Sequence, residues 1–235
     1  KNKKKEKNKT FFDLKLSRSI MRAIEKIGWT VPTPVQSQAI PYGLNGRDLL
    51  VNAVTGSGKT AAFMLPVIER LIYRPGAAAI RVLVITPTRE LAAQCHSMTN
   101  QLMQYTDITS TLAVGGLSVQ KQAVELRKRP DIVIGTPGRI IDHLYNTQSF
   151  SLDNIEILIL DEADRLLEIG FADEIKEIIS NCPKNRQTLL FSATMSKKLH
   201  DLVNLSLNQP KHITVDAHYS LTTTLSQEFI RIKGG

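Results

Sequence analysis

Runs of aliphatic side chains with no polar break, such as Val82-Leu83-Val84-Ile85 and Ile157-Leu158-Ile159-Leu160, constrain the fold more than anything else in this chain. A strand that is apolar at every position must hide both faces, as strands do in a parallel sheet covered by helices on either side. Six segments are predicted as strands: 49–53, 81–86, 109–114, 131–135, 156–161 and 187–192. Helical patterns fall between them, over 59–73, 89–105, 118–128, 138–146, 171–180 and 196–207. Strand and helix in repeated alternation imply right-handed crossovers. The predicted fold class is therefore α/β, a doubly wound, mostly parallel sheet with helices on both faces.

Residues 10–45 precede the first core strand and predict two short helices, 17–27 and 36–44, separated by the turn Val31-Pro32-Thr33-Pro34. At the other end, residues 225–233 alternate like a strand after the sheet pattern has closed. They read as an edge strand, a linker or the first strand of a further domain. A chain that opens on Lys1 and closes on Lys233-Gly234-Gly235 reads as a piece of something longer.

Composition narrows the function classes. Of 235 residues, 42% are hydrophobic and 22% charged, enough apolar surface for a core and too much for wholesale disorder. No run approaches the ~20 apolar residues of a membrane-spanning helix, and no apolar segment directly follows the Lys-rich start as a secretory signal would require. The formal charge of +8 is unevenly placed. Residues 1–9 hold six Lys and one Glu, so +5 sits there and +3 on the remaining 226 residues. That segment reads as a disordered tail, either attracted to polyanions or simply solvated. Cys95 and Cys182 lack metal-ligand spacing and read as reduced, packed thiols; the five His form no metal-binding pair.

Two motifs carry chemistry. Ala53-Val54-Thr55-Gly56-Ser57-Gly58-Lys59-Thr60 follows a predicted strand and opens a predicted helix, the setting of a phosphate-binding loop. Glycines let such a loop curl until its backbone N–H groups converge on phosphate oxygens, and the helix N-terminus adds partial positive charge. Lys59 would reach the β- and γ-phosphates and the Thr60 hydroxyl would ligate Mg²⁺. The strict pattern begins with Gly where this chain has Ala53. Pro66 falls inside the following helix and is expected to kink it. The second motif, Asp161-Glu162-Ala163-Asp164, ends a predicted strand, where open α/β sheets bind their ligands. Asp161 would hold Mg²⁺ through water, and Glu162 would orient or deprotonate an attacking water. Alone, this pair reads equally well as a helix cap. Asp164 is expected to order its loop by hydrogen bonds.

Read together, GWTVPTPVQ at 28–36, AVTGSGKT at 53–60, PTREL at 87–91, GG at 115–116, TPGR at 136–139, DEAD at 161–164 and SAT at 192–194 resemble the DEAD-box family of ATP-dependent RNA helicases over residues 11–215. The resemblance implies the first of two RecA-like P-loop NTPase domains. It divides the chain into a tail at 1–9, an adenine-recognition region at 10–45, the first RecA-like domain at 46–220, and a linker or start of a second domain at 221–235.

It also implies an ATP site that includes Thr33, Gln36, Thr55, Gly56, Ser57, Gly58, Lys59 and Thr60. Gln36 would read the adenine edge, and Phe12 would stack on its face, with Phe11 the rival. Arg89, Gly115, Gly116, Thr136, Gly138 and Arg139 would meet the RNA backbone. Asp164, Ser192 and Thr194 would couple the two sites. The cofactors implied are ATP and Mg²⁺. The partners are RNA, a second RecA-like domain and pre-ribosomal proteins, and no membrane. Longer strings, VNAVTGSGKTAAFMLPVIERL and DIVIGTPGRIIDHL, are most similar to a nucleolar subgroup acting in large-ribosomal-subunit assembly. The location implied is the nucleus and nucleolus.

The family's second domain carries its arginine fingers, and no HRxGR-like string occurs in these 235 residues. In related P-loop NTPases such an arginine is worth ~10³–10⁵ in rate. The isolated chain is expected to bind adenine nucleotide weakly and to hydrolyse it poorly. A phosphate-release assay with and without RNA checks this, and brisk RNA-stimulated turnover would refute it.

Overall fold

A computed structural model describes residues 10–215. The tail at 1–9, the end of the 46–220 segment, and the strand-like 225–233 lie outside the described residues. Seven strands form one sheet: β1 (Leu49–Asn52), β2 (Val82–Ile85), β3 (Ser110–Ala113), β4 (Ile132–Gly135), β5 (Ile157–Leu160), β6 (Gln187–Ser192) and β7 (Lys211–Thr214). Their order is β3-β4-β2-β5-β6-β1-β7, and every neighbouring pair is parallel. The six predicted strands are all present. β7 was not predicted: of Lys211-His212-Ile213-Thr214 only Ile213 is buried, so this edge strand lacks the apolar run that marks the others.

Nine helices flank the described sheet: α1 (Arg18–Ile27), α2 (Pro34–Leu44), α3 (Lys59–Ile72), α4 (Arg89–Leu102), α5 (Val119–Arg127), α6 (Pro137–Asn146), α7 (Ala163–Ile169), α8 (Ala172–Asn181) and α9 (Lys197–Ser206). Alternate residues of each strand feed two cores. Val82, Val84, Ile157 and Ile159 face the side of α2 and α3, while Leu83, Ile85, Leu158 and Leu160 face the side of α7 and α8. That division is why these strands are apolar throughout. α7 was not predicted. It is seven residues long, too short for periodicity to reveal, and a left-handed Gly170 ends it before α8. Cys95 and Cys182 are free and buried. Pro66 lies inside α3, and its ring packs on Gly43 of α2, where an added Cβ would be 2.9 Å from Cγ.

All strands run the same way, so all their carboxyl ends lie along one edge. The opposite edge is closed by charge pairing. Buried Arg81 sits between Asp131, with Nη1 at 3.8 Å, and Glu156, with Nε at 3.4 Å, and its Nη2 donates to the Ala77 carbonyl at 2.7 Å.

Gly135 ends β4 where the backbone passes closest to β3. A Cβ there would overlap the Ala113 carbonyl oxygen and lie 2.9 Å from Ile140 Cδ1. Gly135→Ala is therefore expected to destabilise the domain by about 1–3 kcal/mol, read as a lower urea midpoint at unchanged m-value.

Candidate functional site

β1 delivers the chain into the loop at 53–58, and α3 carries it away. Ala53 still belongs to the sheet: its N–H donates to the Ser192 carbonyl at 3.0 Å and its side chain is buried. Its backbone has no positive φ, so a glycine is not needed there. The glycines that matter are Gly56 and Gly58, at φ +81° and +91°. Gly58 also leaves no room for a side chain, since a Cβ would lie 2.6 Å from Gln36 Nε2 and 3.1 Å from Thr33 Oγ1. Ser57 Oγ donates to the Val54 carbonyl at 2.7 Å, which tightens the turn.

Lys59 opens α3 with its side chain turned inward. The residue is buried, and among the described residues its ammonium has no hydrogen-bond partner. A buried ammonium left this way is costly unless an anion joins it. Its electrostatic neighbour is Asp161, at the carboxyl end of β5. Burial pushes the Asp161 carboxyl up to about 6; Lys59 pulls it down, while Glu162 and Asp164 push it up. The Lys59 turn and the Asp161-Glu162 edge are thus neighbours, joined also by the bond from Thr55 Oγ1 to Glu162 Oε1. β5 and β6 lie between β1 and β2 in the sheet, so strands far apart in sequence deliver these groups side by side.

Glu162 is held tightly and under strain. Its backbone is left-handed, φ 50° and ψ 51°, which costs a non-glycine residue on the order of 1–3 kcal/mol. Its Oε1 accepts from Thr55 Oγ1 at 3.2 Å and its Oε2 from Arg165 Nη1 at 3.4 Å. Thr55 therefore ties the phosphate loop directly to the carboxylate edge. Asp164 faces the other way. Its Oδ2 accepts from the N–H groups of Ala193 and Thr194, at 3.2 and 2.9 Å, and from Thr194 Oγ1 at 3.0 Å. Ser192 Oγ donates to the Thr194 carbonyl at 2.8 Å, so the Ser192 side chain reaches the Asp164 loop through Thr194.

Gln36 is buried on the first turn of α2. Its Oε1 accepts from Thr33 N at 2.9 Å, Thr33 Oγ1 accepts from Gln36 N at 3.4 Å, and Gln36 Nε2 donates to the Gly58 carbonyl at 3.2 Å. This reciprocal cap holds the carboxamide against the phosphate loop. The two aromatic candidates separate clearly. Phe11 is buried and stacked on Trp29, with ring centroids 6.3 Å apart, whereas Phe12 is 80% exposed. Phe12 and Trp29 both line a groove of about 620 Å³ beside α1, which neither Gln36 nor the phosphate loop lines. Trp29 was overlooked in the sequence reading, although it stands inside the string 28–36 that carried the resemblance.

The remaining candidates converge at the other half of the same edge. Arg89, Gly115, Thr136, Gly138 and Arg139 line one open groove of about 610 Å³, together with Phe171, which no motif contains. The Arg89 guanidinium lies over the turn at 115–116, and a Cβ on Gly116 would overlap its Nη1. Arg139 Nη1 donates to the Leu117 carbonyl at 3.1 Å, and its Nε lies 3.4 Å from Asp142 Oδ2.

The raised Asp161 carboxyl has a stability consequence. The folded chain keeps this proton to a higher pH than the unfolded chain does. Stability is therefore lost as pH rises from about 4 to about 6, and the loss persists above that. Asp161→Asn removes the loss. The nucleotide-free domain is expected to gain on the order of 3 kcal/mol at pH 7.5 and almost nothing at pH 4, measured by urea unfolding at both pH values.

The chain matches the DEAD/DEAH box helicase family over residues 33–202. It is 58% identical over 225 residues to the probable ATP-dependent RNA helicase ddx27 of Dictyostelium discoideum, an alignment taking in 95% of this chain and 29% of that protein. It is 56% identical over 225 residues to the DEAD-box ATP-dependent RNA helicase 28 of Oryza sativa subsp. japonica, covering 95% of this chain and 28% of that protein. The chain thus spans under a third of the length of these relatives. Among solved structures, that of a DEAD box protein from the hyperthermophile Methanococcus jannaschii superposes with a TM-score of 0.82 at 36% identity, over 88% of this chain and 56% of that one. With the phosphate loop beside the Asp-Glu-Ala-Asp edge on a RecA-like sheet, the chain belongs to the DEAD/DEAH box helicase family.

Proposed function

We propose that this chain is the ATP-binding domain of an ATP-dependent RNA helicase, which couples ATP hydrolysis to local opening of RNA duplexes when joined to a second RecA-like domain. One observation carries the reading: a buried Lys59 ammonium, without a hydrogen-bond partner among the described residues, lies beside the Asp161-Glu162 edge. That arrangement fits a polyphosphate. Gly56, Gly58 and the N-terminus of α3 would cradle it, Lys59 would neutralise it, and Gln36 would read the base from its fixed place on Gly58. Thr60 and Asp161 would hold Mg²⁺. One hydroxyl and one carboxylate suit an ion that keeps several waters and phosphate oxygens, and it would neutralise charge on the transferred group. Glu162, held by Thr55 and Arg165, would orient the attacking water.

RNA would lie along the Arg89–Arg139 groove, met by guanidinium groups and bare backbone, which read phosphate and sugar and not sequence. Asp164 and Thr194, with Ser192 behind them, would couple closure of the nucleotide site to RNA binding. A role in ribosome assembly in the nucleolus, alongside pre-ribosomal proteins, is supported by the motif strings at 51–71 and 131–144 and by the Lys-rich tail.

The test is Glu162→Gln in the two-domain protein. ATP and RNA binding should persist while hydrolysis falls by at least about 10²-fold, leaving the protein stalled on RNA. Biological activity that survives blocked hydrolysis would mean an ATP-gated clamp that does not unwind RNA.

A further inference from the structure

We propose that Gln122 and His143 are positioning residues that hold the turn Gly115-Gly116 in its RNA-facing place, an inference that rests on the RNA reading given above. Gln122 lies outside every motif string, and His143 lies four residues beyond the TPGR motif at 136–139. β3 is an edge strand, so its outer side has no neighbouring strand to pair with. At Val114, the last residue before the turn, the Gln122 side chain takes that neighbour's place. The Val114 N–H donates to Gln122 Oε1 at 3.1 Å, and Gln122 Nε2 donates to the Val114 carbonyl at 2.9 Å. Both polar groups of one backbone residue are thereby captured by one buried carboxamide.

The bonds propagate in a fixed direction. The Val114 N–H can only donate, so the amide oxygen of Gln122 must point at it, and the amide orientation is settled. That oxygen also lies 3.3 Å from His143 Nε2, which must then carry the proton. Nδ1 is left as an acceptor, and the Thr147 hydroxyl donates to it at 2.8 Å. Every group is satisfied with a neutral imidazole in this tautomer. His143 is fully buried and meets the ring of Phe150 edge-on, with centroids 6.0 Å apart. Burial, together with the Arg139 charge, lowers its pKa from the ordinary value, against a smaller opposing pull from Asp142.

The turn is held from two sides. On the solvent side, Arg89 lies against Gly116 and Arg139 holds the Leu117 carbonyl. These are the cations that would turn to phosphate when RNA arrives. On the core side, the Gln122–His143–Thr147 chain fixes the backbone of Val114, whose side chain is buried in the core. Its effect should be confined to RNA, because nothing in it touches the loop at 53–60 or the Asp161-Glu162 edge.

The experiment compares Gln122→Met, His143→Phe and His143→Gln in the full-length protein, reading RNA-stimulated ATPase activity and amide hydrogen exchange. Met keeps the length of Gln122 and loses both bonds; Phe keeps the ring and loses the proton; Gln restores a donor where Nε2 stands. Gln122→Met should raise the RNA concentration for half-maximal stimulation by about tenfold with the KM for ATP unchanged. His143→Phe should raise it less, and His143→Gln should restore it. Exchange at residues 115–117 should quicken while that at 56–60 stays the same.

Unchanged half-saturation in both Gln122→Met and His143→Phe, or an equal rise in the KM for ATP, overturns the proposal. A wild-type protein that RNA does not stimulate overturns the RNA reading instead. In that case the exchange rates still decide whether Gln122 holds the turn. If Gln122→Met does not fold, His143→Phe and His143→Gln carry the comparison.

Discussion

Two buried charges of opposite sign, Lys59 and Asp161, meet at the carboxyl edge of a parallel sheet, and the rest of the site is arranged around them. Neither is settled by the protein alone. The ammonium lacks a hydrogen-bond partner among the described residues, and burial raises the carboxyl to about 6. An enclosed pair that is well satisfied would have no use for a ligand. This one is completed only by something that brings negative charge to the lysine and positive charge to the aspartate. A magnesium polyphosphate does both, which is the physical reason for reading the pocket as a triphosphate site.

The opposite edge of the same sheet shows what charges look like when they serve only the fold. Arg81 is as buried as Lys59, but Asp131, Glu156 and three backbone carbonyls surround it. Both edges are built from strand ends with ionised groups between them, and the Lys59 ammonium differs from Arg81 in having no hydrogen-bond partner among the described residues. The left-handed Glu162 at the N-terminus of α7 adds strain at the carboxyl edge, as Arg129 and Gln209 do before β4 and β7 at the other. Stability is surrendered locally at the place where chemistry is proposed and secured elsewhere by the apolar strands.

The fold class was legible because β2, β4, β5 and β6 are buried on both faces, and that shows directly in composition. What failed to show was marginal by the same physics. β7 has one buried residue among four, and α7 is two turns long. For the site, residue types in motifs were legible and their contacts were not. Choosing between Phe11 and Phe12 needs the direction in which each ring leaves a short 3-10 turn, which two adjacent aromatics in a sequence cannot reveal. The second role of Gln36, bonding Gly58 twenty-two residues away, needed the tertiary fold, as did the capture of Val114 by Gln122.

Strand order explains how one sheet edge can host two sites without confusing them. In sequence, the segments proposed to meet RNA lie between those proposed to meet ATP. In space they separate, because β3, β4 and β2 form one half of the sheet and β5, β6 and β1 lie in the other. The first half carries 115–116, 136–139 and 87–91 from its ends; the second carries 161–164, 192–194 and 53–60. The boundary runs between β2 and β5, which pair from Val82↔Ile157 to Ile85↔Leu160. A shift of β5 driven from the nucleotide side would move β2 and Arg89 with it, because four parallel ladder positions lock the two strands. The bonds from Asp164 to Thr194 run away from that boundary, toward β6. Two routes therefore leave the Asp161–Asp164 loop, one along the sheet to the RNA-facing half and one outward at 192–194. The second is built of exposed hydrogen bonds that can break and re-form, so it is the route suited to answering a partner domain.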